Sequence, residues 1–167
     1  MAKKKSGLNL GKILGLVAAV LGLVAVCMIF VDTVKVPDTE ILGKVIEGEG
    51  YTGLKVAFGY KTDDVAVFGF SFMAVVPYLL MIAGVVLAVV NSMAKKSNKI
   101  LDFVVCGLFV VAAVLCFVMP NFVVCADTLL GKIAAEIDYA LAIGAIVSAI
   151  TSILAAAAVL VKALMKK

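Results

Sequence analysis

The chain reads as an all-α integral membrane protein, a four-transmembrane-helix bundle with a small extracellular antiparallel β-hairpin or three-stranded sheet in its first outer loop. Three observations lead there. Of 167 residues, 65% are hydrophobic and the mean hydropathy is +1.22, well above the roughly 45–50% apolar content of a soluble domain. Four windows approach or exceed the about 20 apolar residues needed to cross about 30 Å of hydrocarbon. One stretch, Gly53 to Phe72 (GLKVAFGYKTDDVAVFGFSF), drops instead to a period of two with β-branched and aromatic residues. The length suits one domain over residues 1–167.

The spans are expected at about 13–31, 72–90, 100–119 and 139–161, with outer loops at 32–70 and 121–138. The chain has no His, Trp, Arg or Gln, so every positive charge is a lysine. Lys3, Lys4, Lys5 and Lys12 precede span one; Lys95, Lys96 and Lys99 separate spans two and three; Lys162, Lys166 and Lys167 end the chain. The loop Asp32 to Phe70 carries seven acids against four lysines, and Asn121 to Asp138 three against one. Lysine excess marks the cytoplasmic side, which places both termini and the short middle loop inside a multi-pass cell-membrane protein. Span one is too long for the apolar region of a signal peptide and no A-x-A-like site follows it, so it is expected to be retained.

Helices in lipid associate through close backbone approach. Span four offers Ala140, Gly144, Ser148, Ser152 and Ala156, a small residue every four positions, and span one a shorter series of Gly11, Gly15, Ala18 and Gly22. Gly144, Ser148, Ser152, Gly11 and Gly15 are the candidate helix-packing residues, within one molecule or along a dimer seam. Ser148, Thr151 and Ser152 are expected to bond back to their own helix one turn earlier. Pro77 is expected to tilt or kink span two, and Pro120 to close span three. Asp102, near the cytoplasmic end of span three and close to Lys99, reads as an interfacial anchor at a helix N-terminus rather than a proton relay. No carboxylate lies near the middle of a span, which argues against an ion-coupled transporter.

Cys27, Cys106, Cys116 and Cys125 lack metal-ligand spacing and read as small apolar residues. A disulfide among Cys27, Cys116 and Cys125 is conceivable, but spacing does not decide it. With no histidine and no convergent cluster, the chain nominates no catalytic residue, metal ligand or cofactor. No basic patch with interleaved aromatics suggests nucleic acid.

In the first outer loop, Leu54, Val56, Phe58 and Tyr60 alternate with Lys55, Ala57, Gly59 and Lys61, the pattern of a strand. Pairing Lys61 with Asp64 sets Tyr60 opposite Val65, Phe58 opposite Val67 and Val56 opposite Gly69. Phe68 then lies over Ala57 and Phe70 beside Lys55, and each glycine of the two Phe-Gly-aromatic triplets gives room to a bulkier neighbour. Ile41 to Glu47 is a candidate third strand. So small a sheet needs a cover, from its own helices or from another molecule. The second outer loop offers a helix capped by Asp127, with Leu129, Leu130, Ile133 and Ile137 as its apolar stripe, running on into span four and walling the sheet.

Four spans, inside termini, a larger strand-rich first outer loop and a shorter second one resemble the claudin-like tetraspan arrangement. The resemblance covers the whole chain as topology and implies the same four-span plan. The first-loop signature of that family, a Gly-Leu-Trp run with two cysteines, has no counterpart here, so no site residue is carried over. The lysine-only, alanine- and valine-rich composition is similar to that of small membrane proteins of low-GC bacteria. Connexins share the four-span plan, but their paired outer-loop cysteine triplets are absent.

The expected function is non-enzymatic: a structural or assembly membrane protein whose outer β-loop mediates self-association or partner contact, through Phe58, Tyr60, Phe68 and Phe70. Its expected partners are the lipid bilayer and either a homo-oligomer or a membrane or extracellular protein. The alternative is an oligomeric channel with its pore between subunits, for which Ser148, Thr151 and Ser152 would be the polar stripe. A membrane-embedded enzyme is a third reading, which the residues support least.

Overall fold

The computed structural model describes residues 10–41, 44–46, 48–62, 64–94 and 97–165, with 39–41 and 44–46 described by their backbone alone. Four helices are long and apolar enough to cross a membrane: α1 (Leu10–Cys27, extended by a 3₁₀ turn to Phe30), α3 (Phe72–Met93), α4 (Lys99–Phe117) and α6 (Ile143–Leu164). Each packs on two neighbours in the ring order α1, α3, α4, α6, an up-down-up-down bundle. α3 runs on through Pro77 as one helix, and α4 stops before a 3₁₀ turn that contains Pro120.

The burial pattern of these helices inverts that of a soluble bundle. Inward positions hold small or polar residues: Ala18, Gly22 and Ala25 on α1, Gly84 and Ala88 on α3, Ala112 and Ala113 on α4, Ser148, Ala149 and Ser152 on α6. Most Leu, Ile, Val, Phe and Met side chains face outward along all four, with Met81, Val105, Phe109 and Val159 as buried exceptions. The one large ring at mid-bundle is Phe109, fully buried. It fits because its neighbours are glycines: a Cβ on Gly22 would lie 2.7 Å from the ring and one on Gly84 3.0 Å.

The two long connections meet at one end of the bundle and form a layer of small antiparallel sheets. Its centre is β1 (Asp32–Lys35), which leaves the 3₁₀ turn after α1 almost at once. β1 pairs on one side with β4 (Gly50–Thr52) and on the other with β7 (Ala140–Leu141), which leads directly into α6. Between β1 and β4, β2 (Thr39–Ile41) and β3 (Lys44–Ile46) pair as a separate hairpin. The candidate third strand, Ile41 to Glu47, is therefore not one strand: Ile41 ends β2 and pairs with Lys44 of β3, and this hairpin joins neither other sheet; Leu42, Gly43 and Glu47 lie outside the described residues.

The expected strand from Leu54 to Lys61 is mostly helix. Gly53–Phe58 forms α2, with the Thr52 side chain accepting a hydrogen bond from Lys55 N at 3.4 Å. It stops at Gly59, whose φ of +94° suits glycine. Over six residues, alternation and a turn and a half of helix expose nearly the same positions, and the cap and stop decide the matter. Only β5 (Tyr60–Thr62) and β6 (Val65–Phe68) make the hairpin. Its register pairs Thr62 with Val65, Lys61 with Ala66 and, past a bulge, Tyr60 with Phe68, so the partner of Lys61 lies two residues and that of Tyr60 three residues beyond the expected one. Asp64 takes a positive φ of 63° in the turn, a conformation aspartate tolerates better than most residues. Of the two triplet glycines, only Gly59 meets a tight backbone neighbour: its Cβ would stand 2.9 Å from Phe68 O, whereas one on Gly69 would make ordinary contacts.

The second long connection also departs from expectation. α5 (Leu129–Ala135) is capped by Thr128 rather than Asp127, with Gly131 N donating to Thr128 Oγ1 at 3.0 Å. It ends well before α6, so span four starts at Ile143 and Ala140 belongs to a strand instead of the small-residue ridge. Leu129, Leu130 and Ile133 are exposed, so the apolar stripe does not wall the sheet. The cover comes from the chain just before α5: Gly69 N donates to Val124 O at 2.8 Å, Ala126 N to Val67 O at 2.9 Å, and Thr128 Oγ1 to Ala66 O.

Candidate functional site

The sheet layer is built around aromatic rings. Phe68, only 3% exposed, takes the Tyr51 ring edge-on at 4.8 Å and lies 5.8 Å from the Tyr139 ring, with Tyr60 at 6.4 Å. β4, β5, β6 and the approach to β7 each contribute one ring, so the cluster ties the separate sheets together. The Lys55 ammonium sits 4.3 Å from the centroid of Tyr60, a cation–π contact that fixes α2 to the hairpin. Of the four residues nominated as an interaction surface, Phe68 is thus interior and Tyr60 half-buried. Phe58 and Phe70 are each 59% exposed, and their centroids are 6.2 Å apart.

This exposed pair stands on a held framework. Ser71 N donates to Ala57 O at 2.9 Å, and Ser71 Oγ donates to Phe122 O at 2.6 Å while accepting from Ala74 N at 3.3 Å. One serine therefore joins α2, the start of α3 and the second connection next to the two rings. Nearby, a groove of about 440 Å³ is lined in part by Asn121, Cys125, Asp138 and Tyr139. Burial pushes the Cys125 thiol up, and pushes the Tyr139 phenol up to about 12, with Cys125 and Tyr51 adding smaller contributions. Both stay protonated at neutral pH and are poor nucleophiles there.

The helix-packing candidates lie inside the bundle, apart from half-buried Gly11. A Cβ on Gly144 would approach Asp32 O at 2.7 Å, so this glycine lets α6 meet the start of β1. Ser148 Oγ donates across to Ala25 O of α1 at 2.5 Å instead of back along its own helix. Thr151 does bond back, to Val147 O at 2.7 Å. Ser152 Oγ and Tyr78 Oη are buried with no hydrogen-bond partner among the described residues. The ridge is thus taken up by contacts between the chain's own helices, and the hydroxyls do not form an outward polar stripe. All four cysteines are free thiols.

A second constellation, at the end remote from the sheets, was not foreseen in the sequence. Asp102 and Lys162 are 1% and 2% exposed and form an ion pair at 2.9 Å. Lys162 Nζ also donates to Ser92 Oγ at 3.0 Å, and Asn91 Nδ2 donates to Asp102 Oδ1 at 2.6 Å. Asp102 is therefore not an interfacial anchor beside Lys99 but half of a buried pair. In sequence Lys162 is grouped with the terminal lysines as a topology marker, and nothing local sets it apart from them. The available signal was four polar residues (Asn91, Ser92, Asp102, Lys162), each about a turn inside a helix end. No protein family, curated protein or solved structure matches the chain.

Proposed function

We propose that this is a non-enzymatic, multi-pass membrane protein whose sheet layer, displayed outside the cell membrane, mediates lateral association with a second copy or with a neighbouring membrane protein. The membrane setting is supported by the inverted helices: aliphatic side chains cover the outside of the bundle, far beyond the apolar patch a soluble protein tolerates. The orientation is supported by charge. Ten of the fifteen lysines fall in or next to the termini and the α3–α4 loop, and ten of the eleven acids fall in the two long connections.

The observation that carries association is the Phe58–Phe70 pair. Two phenyl rings, exposed side by side, stand on a framework pinned by Ser71 and by the main-chain bonds of β6. They flank the first turn of α3, where the layer meets the bundle, so a partner seated on them lies beside the protein in the same membrane. Rigid aromatic anchors of this kind recur at the centres of interfaces.

The test is the oligomeric state of the full chain in lipid nanodiscs. The parent is expected to associate and the double variant Phe58→Ser/Phe70→Ser to be monomeric with its helix content unchanged. A monomeric parent with no partner retained from native membranes, or association that survives the double change, overturns the reading. Orientation is read separately: in a cysteine-free background, Lys61→Cys is expected to react with an impermeant maleimide on intact cells and Lys99→Cys only after lysis.

A further inference from the structure

We propose that a groove between the sheet layer and α6 binds a zwitterionic aminophospholipid, with Asp32 taking its ammonium, Lys35 its phosphate and the α6 wall an acyl chain. The groove has a volume of about 320 Å³ and opens where β1, β4 and β7 meet the start of α6. Its charged side chains come from β1. In a regular strand residues 32 and 35 would point to opposite faces. β1 instead carries a bulge: Asp32 is opposite Thr52 and Val34 opposite Tyr51, so Thr33 is an extra residue. Thr33 and Val34 are both fully buried, and Asp32 and Lys35 on either side of them both line the groove. At about 3.3 Å per residue their Cα atoms stand at most about 10 Å apart, a span that the long lysine stem and the two charges of one headgroup can bridge. Gly50 leaves the room, since a Cβ there would collide with the Asp32 carboxylate.

The rest of the wall is apolar. Ile143 and Ile146, a turn apart on α6, are both exposed, and half-buried Leu141 of β7 precedes them. The charged and apolar walls are fixed to each other: Ala142 N donates to Thr33 O at 3.0 Å, and a Cβ on Gly144 would lie 2.7 Å from Asp32 O. A soluble zwitterion would meet the charges and leave the two isoleucines uncovered. These lie at the sheet end of a helix long and apolar enough to cross a membrane. The occupant that fits both walls is therefore a lipid of the leaflet next to the sheet layer.

The charges also select among lipids. Lys35 is paired at 3.2 Å with Asp38, and both side chains are open to solvent; such a pair contributes little and yields to a phosphate. With Asp32 and Asp38 against one lysine, a purely anionic headgroup is opposed here, whereas one that carries its own cation is matched. The site rests on the proposed membrane setting and not on the Phe58–Phe70 contact.

The test is photolabelling of the full chain in phosphatidylglycerol nanodiscs that hold a trace of phosphatidylethanolamine or phosphatidylglycerol with a diazirine in the acyl chain. The phosphatidylethanolamine probe is expected to label residues 141–146 about tenfold more than the phosphatidylglycerol probe. Asp32→Asn, close in shape, should bring the two probes to within about twofold of each other. Lys35→Met should lower labelling by both about tenfold. The Phe58→Ser/Phe70→Ser variant should keep the parent's preference, and excess glycerophosphoethanolamine, which has the headgroup without the chains, should not compete. Equal labelling by the two probes in the parent overturns the site and leaves the membrane setting standing, as does a preference that survives Asp32→Asn. Should Asp32→Asn fail to accumulate, unchanged labelling in Lys35→Met overturns the site in its place. Competition by glycerophosphoethanolamine as strong as by the lipid overturns a lipid as the occupant. A parent chain that does not enter nanodiscs at all overturns the membrane setting and the site together.

Discussion

The helical bundle and the sheet layer are made by one short chain, yet they follow opposite rules of burial. Inside the bundle are mostly glycines, alanines and serines with a closed ion pair and a few larger side chains such as Met81 and Phe109, and most large aliphatic side chains are turned outward. Inside the sheet layer are Phe68 and the rings around it, while Lys61, Asp64, Asp127, Lys132, Glu136 and Asp138 face outward. On the proposed membrane setting, the difference follows from what each region touches. Where the surroundings are as apolar as the side chains, burying a leucine gains nothing and close approach of backbones decides packing. Where the surroundings are water, large rings gain most by leaving it.

The contrast can be broken from either side. The largest effect is expected from Phe68→Ala, which empties the aromatic core and costs about 3–5 kcal/mol. Amide exchange is expected to rise across β5 and β6 while α1, α3, α4 and α6 stay protected; equal loss in both regions would show that they fold as one unit. Next is the reverse kind of substitution in the bundle. Gly22→Val forces methyl groups into Phe109 and Val85, and overpacking of this kind costs about 1–3 kcal/mol. The adjacent exposed change Leu23→Val should leave the SDS-unfolding midpoint where it is, and the pair of measurements separates interior from exterior on one helix.

A smaller loss is expected from Thr128→Val. It removes both the cap of α5 and the donor to Ala66 O, about 1–2 kcal/mol, seen as faster exchange in α5 and β6 alone. The last probe is alkaline pH. Burial raises the Tyr139 phenol from 10.0 to about 12, so between those values the unfolded layer has released a proton that the folded layer still holds. Stability contributed by the neutral phenol is complete below about pH 10 and declines as pH rises through that window. Tyr51 shifts the same way, by burial first and the Glu49 charge second. Tyrosinate absorbance and sheet-layer exchange should therefore rise together, and Tyr139→Phe should remove most of the effect.

The four long helices were legible because twenty apolar residues in a row have few alternatives, and their ends fall within a few residues of expectation, span four excepted. There Ala140 and Leu141 look helical by hydropathy but are drawn into pairing with Lys35 and Val34, partners more than a hundred residues away. GLKVAF was misread because six residues cannot separate a period of two from one of 3.6, and the deciding cap, Thr52, lay just outside the pattern. The presence of a hairpin was readable and its register was not: the turn closes on Thr62 and Val65 instead of Lys61 and Asp64, and a bulge between Tyr60 and Lys61 shifts the count by one more. The exposed and buried members of the Phe-Gly triplets differ only by tertiary contacts. The Asp102–Lys162 pair was only partly legible: its polar residues stand near helix ends in the sequence, but no local pattern links one to the other.

Phe109 has a mechanical consequence. Its ring occupies two notches at once, one cut by Gly22 and one by Gly84, so α4 is keyed against two helices at a single height. Sliding α4 by even part of a turn would drive the ring into side chains above or below both notches. The axial position of α4 relative to α1 and α3 is therefore a discrete setting rather than a sliding one.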